Sequence, residues 1–108
     1  MPNNEKEPVS REEVVRALRE WKDVTPLSEY VGQLQEKWGE TDEGRLHIEY
    51  EVALIYIEAG HFDEAQEVIN GGIAMAQGAN DPNWYDLFDL LDKDIQGKRG
   101  PPTSREPS

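Results

Sequence analysis

The chain has 108 residues, 36% hydrophobic and 31% charged, with a formal net charge of −12 and no cysteine. That length makes one domain with a modest core, and the missing cysteine excludes disulfides, thiolate nucleophiles and thiolate metal sites. The charge opposes binding to phosphate or anionic lipid and favours basic proteins or peptides, although it also serves plain solubility or life at high salt.

The first residues, MPNNEKEPVS, lack the apolar core of a secretory signal. No apolar run approaches the roughly 18 residues of a membrane span. A soluble cytoplasmic protein is the expectation. Residues 1–9 are polar with two prolines, and residues 97–108, GKRGPPTSREPS, hold three prolines and two glycines. Both ends are expected to be disordered tails around a helical domain at 10–96.

Helix 1 is expected from Ser10, because Ser10-x-x-Glu13 is a capping-box pattern. Val14, Ala17, Leu18 and Trp21 follow at helical spacing. Thr25-Pro26 ends it and opens helix 2, with Thr25 as N-cap and proline in the first turn. The apolar stripe of helix 2 is Leu27, Tyr30, Val31, Leu34 and Trp38, and Gly39 stops it. A polar loop, 39–44, leads to helix 3 at about Arg45 to Ala59. That helix is apolar on most of its circumference, with His47, Glu51 and Glu58 as a narrow polar stripe, so it should lie buried between neighbours. Gly60 ends it. Helix 4 follows at about Asp63 to Gln77. Asp81-Pro82 opens helix 5, whose stripe is Trp84, Leu87, Phe88, Leu91 and Ile95. No stretch alternates with a period of two. The fold class is all-α, a five-helix antiparallel hairpin array.

Helices 3 and 4 carry one clear motif, Ala53-x-x-Tyr56-x-x-x-Gly60-x-Phe62-x-x-Ala65. Small residues at 53 and 65 let two helices approach. Gly60 supplies a left-handed stop, Phe62 plugs the turn and Tyr56 fills the space between facing helices. This pattern resembles the tetratricopeptide repeat (TPR), in which small, Tyr, Gly, aromatic and Ala residues recur at these offsets. Gly72 fits the small position late in the repeat's second helix. Glu49 stands where the family has an apolar residue, and the family's closing proline is missing at Gln77. The resemblance implies about two hairpins and a terminal capping helix. It also implies that His47, Tyr50, Leu54 and Ile57, on the inner face of helix 3, contact a peptide ligand. The Lys and Asn that grip a peptide carboxylate in one branch of the family are missing. Alternatively, the neighbouring helices simply cover these four residues.

Between Leu46 and Asp92 there is no Lys or Arg, yet ten carboxylates occur: Glu49, Glu51, Glu58, Asp63, Glu64, Glu67, Asp81, Asp86, Asp89 and Asp92. Asp86, Asp89 and Asp92 form either a docking face for Lys and Arg or a solvated surface. Glu49 lies on an otherwise apolar side of helix 3, so a basic partner from helix 1, Arg16 or Arg19, is expected. His47 and His61 share no helical face with a third ligand, and no metal or other cofactor is expected. No catalytic grouping or phosphate loop is visible. The functional expectation is a non-catalytic adaptor or scaffold that binds a basic or amphipathic protein segment. The alternative is an acidic inhibitor that mimics nucleic acid and blocks a basic cleft on an enzyme.

Overall fold

Side-chain caps and tight turns divide the chain into α1 (Arg11–Trp21), α2 (Thr25–Trp38), α3 (Asp42–Ala59), α4 (Phe62–Gly78) and α5 (Pro82–Arg99). The structure, a computed structural model, describes residues 8–99, and no strand occurs among them. The expected all-α class and five helices are observed.

The caps explain most boundaries. Ser10 Oγ accepts from the Glu13 N–H at 3.1 Å and starts α1. Thr25 is not the cap of α2. Val24 holds that position without a side-chain bond, and Asp23 Oδ1 accepts from the Thr25 N–H at 3.0 Å. Thr25 therefore enters the helix, with Pro26 behind it. α3 starts at Asp42, three residues before the expected Arg45. Thr41 Oγ1 accepts from the Gly44 N–H at 2.9 Å, and the acidic pair Asp42 and Glu43 suits a helix N-terminus. Asp81 Oδ1 accepts from the Trp84 N–H at 3.3 Å and opens α5.

Two ends extend beyond expectation. Val9, assigned above to the N-terminal tail, is half-buried. Its N–H donates to Gln33 Oε1 at 2.8 Å, and its carbonyl accepts from Gln33 Nε2 at 3.3 Å. α5 runs to Arg99, past the expected limit at Gln96. The remaining tail residues, 1–7 and 100–108, lie outside the described residues.

α3 is the hub and packs against each of the other four helices. Its two sides feed different cores. Leu46 and Ala53 join Ala65, Ile69 and Ala76 of α4 and Phe88, Leu91 and Ile95 of α5. Ile55 and Ala59 join Val14, Val15 and Leu18 of α1 and Leu27 of α2. Tyr56 packs against both clusters. A helix with a core on either side needs apolar residues nearly all round, which is how its sequence reads. Each fully buried large side chain, such as Phe88 or Ile69, contributes about 1.5–3 kcal/mol of transfer free energy.

Two glycines are dictated by geometry. Gly60 has φ +82° and caps α3, and the His61 N–H returns to the Tyr56 carbonyl at 2.9 Å. Gly72 is buried beneath Phe88, whose ring occupies the space a Cβ would need. Its neighbour Gly71 faces open space.

Candidate interaction site

The four expected contact residues of α3 share one face. Counting 100° per residue, Ile57, Tyr50, Leu54 and His47 fall within 80° of one another. All four are half-buried. Neighbouring helices therefore cover part of this face and leave part accessible.

Aromatic contacts fix one end of the face. The His47 ring stacks on Trp38, the last residue of α2, with centroids 4.1 Å apart and planes inclined by 16°. The ring of Trp84 of α5 lies 5.8 Å from that of His47, tilted by 36°. Tyr50 meets Trp84 and Phe88 edge-on, at 5.7 and 5.8 Å. Such pairs contribute about 0.5–1.5 kcal/mol beyond area burial. His47 Nε2 also lies 3.5 Å from Glu51, so the imidazole is a built part of the site rather than a free surface group.

The face then becomes aliphatic, through Leu54 and Ile57 against the α3–α4–α5 core. It ends in charge at Glu58. Arg11 Nη2 donates to Glu58 Oε2 at 3.1 Å, and Arg19 Nη2 donates to the Glu58 carbonyl at 3.1 Å. Arg11 and Arg19 of α1 thus serve Glu58, and neither of the expected partners, Arg16 or Arg19, meets Glu49. Helical geometry gives the reason, since nine residues turn a helix by 900° and Glu49 points away from α1.

Glu49 lies on the opposite face of α3, half-buried, in a cleft of about 330 Å³. Gln35, Gly39 and Glu40 form one wall, Met75 the other, and Arg45, Ile48 and Glu49 the rest. Burial holds the Glu49 carboxyl above its ordinary range. No described residue bonds to it.

The aspartates of α5 do not form one outward row. Asp92 Oδ1 accepts from Gln66 Nε2 of α4 at 2.7 Å. Asp89 pairs with Lys93 at 3.1 Å. Only Asp86 of the three is fully exposed. A spacing of three residues advances 300°, so successive members slip around the helix towards α4. Leu87, expected in the core stripe, is instead exposed beside Leu90.

Sequence reasoning missed Trp38 and Trp84 as parts of this face, because each also belongs to a core stripe. The readable signal was the short turn between α2 and α3, which brings Trp38 and His47 together across the connection. Among the described residues, no group of three or more His, Asp or Glu could hold a metal ion, and no helix is long and apolar enough to cross a membrane. Comparisons with protein-family models, with curated proteins and with solved structures find no match for this chain.

Proposed function

We propose that this chain is a non-catalytic protein-interaction module, a TPR-like hairpin array working as a small cytoplasmic adaptor. It holds a basic or amphipathic segment of another protein against the inner face of α3. The observation that carries this reading is the half-open strip of His47, Tyr50, Leu54 and Ile57, extended by Trp38 and Trp84, on a strongly acidic chain. Apolar anchors flanked by carboxylates suit a partner helix or peptide with apolar and cationic residues. The order of helix contacts agrees with a repeat array, since α1, α2, α4 and α5 all pack on α3.

The test is capture of partners from cell extract at low and high salt, followed by binding measurements with Tyr50→Ser and Leu54→Ser. Loss of the captured partner with either variant, while the fold persists, is the expected result. Retention by both variants, together with full loss at high salt, would instead favour the acidic mimic that blocks a nucleic-acid cleft.

A further inference from the structure

We propose that the cleft between α2 and α4, floored by Ile48 and Glu49 of α3, receives a lysine or arginine side chain from a basic partner protein. This second site lies on the face of α3 opposite the aromatic strip. It does not depend on the reading given for that strip.

The argument starts from an unpaired carboxylate. Glu49 stands on an apolar flank, next to Ile48 and facing Met75. A half-buried carboxylate is costly unless a donor or cation meets it. The cations nearest in sequence have other partners, although Arg45 itself lines the cleft. Arg45 Nη1 donates to Asp42 Oδ1 at 2.8 Å, and Lys37 lies over the Trp38 ring at 5.7 Å. Arg11 and Arg19 are held at Glu58 on the far side. With Arg45 neutralised by Asp42, Glu40 and Glu49 leave the cleft negative.

The shape suits a long cationic side chain. α2 and α4 flank α3 as separate walls, so the cleft opens between them. The methylene stem of Lys or Arg can lie along Met75 and Ile48 while its charged head reaches Glu49. Gln35 offers a further acceptor on the α2 wall. An anionic ligand is rejected by both carboxylates, and an apolar one leaves Glu49 desolvated and still unpaired.

The test uses the full chain and a short oligolysine peptide, with its fully acetylated form as the neutral comparison. Glu49→Gln removes the charge at this site, and Glu29→Gln removes an exposed charge on α2 outside it. Glu49→Gln is expected to weaken oligolysine binding roughly fivefold, as for a semi-exposed ion pair, and to raise the thermal midpoint. Glu29→Gln is expected to change binding far less, and the acetylated peptide is expected not to bind. A group that weakens the fold yet strengthens binding is a receptor, whereas a structural pair lowers both when broken. Equal losses for the two Gln variants would overturn the proposal in favour of a diffuse field. A lowered midpoint in Glu49→Gln, matched by Arg45→Met, would overturn it in favour of an internal Arg45 pair. Failure of the aromatic-strip reading would appear in the Tyr50 and Leu54 variants and leave this comparison intact.

Discussion

At the residue scale, adjacent glycines make opposite predictions. Gly71 is exposed in the middle of α4 with nothing near the position of a Cβ. Gly71→Ala should therefore raise stability by about 0.5–1 kcal/mol, through helix propensity and a less flexible unfolded chain. Gly72→Ala should lower it by about 1–3 kcal/mol, because the new methyl overlaps the fully buried Phe88 ring. Urea denaturation midpoints of the two variants test the pair, and shifts of the same sign would contradict the packing described. Glu49 gives a pH prediction. Its folded carboxyl binds a proton more tightly than the unfolded one, whose ordinary value is about 4.5. The native state therefore holds more proton through the window above that value, and stability falls as pH rises across it. Glu49→Gln should exceed the parent in stability at about pH 7 and match it at about pH 4, as read from denaturation midpoints. At this scale the sequence exposed the anomaly of Glu49 and not its surroundings. A helical wheel shows that a carboxylate sits on an apolar flank, but which helices wall that flank depends on how α2 and α4 pack on α3.

At the element scale, α3 was the most legible part of the chain. Its nearly continuous apolar circumference states that two cores meet it, and both are observed. Gly60 and the small residues Ala53 and Ala65 mark the hairpin with α4, and both alanines are fully buried in one cluster. Ala53→Leu and Ala65→Leu should each cost about 1–3 kcal/mol by overpacking. Unchanged denaturation midpoints in both would show that α3 and α4 do not close there. The start of α3 was misread because Thr41, Asp42 and Glu43 look like loop by polarity, although Thr41 is a cap and the acids favour a helix N-terminus. Thr41→Ala should accordingly cost about 1 kcal/mol in the same measurement. α5 was legible as a helix, but its faces were not. The triplet spacing of aspartates suggests a row, while 3.6 residues per turn carries Asp92 round to Gln66 of α4 and leaves Asp86 exposed.

At the scale of the whole molecule, charge and shape act together. The stretch from Leu46 to Asp92 carries its ten carboxylates without a Lys or Arg, while Arg11, Arg16, Arg19 and Lys22 gather on and just after α1. Under the proposed function, the resulting field would steer a basic partner towards α3, α4 and α5 before any contact forms. On the same proposal, apolar contacts at Tyr50 and Leu54 would supply affinity that salt does not screen. The two contributions separate kinetically. Replacing Asp86, Asp89 and Asp92 with Asn should slow association more than it speeds dissociation. Each of the three changes removes one unit of negative charge from the field, while Asp92→Asn also alters the contact with Gln66 and Asp89→Asn the pair with Lys93. Raising ionic strength from the physiological range, where the Debye length is about 8 Å, should slow association in the parent protein and, less steeply, in the variant, which keeps the other carboxylates of the stretch. Stopped-flow or surface-based kinetics with a captured partner measures this directly. Association rates indifferent to both salt and the Asn changes would place recognition entirely in the apolar strip. Tight binding of DNA or RNA at physiological salt would contradict the sign of the field itself.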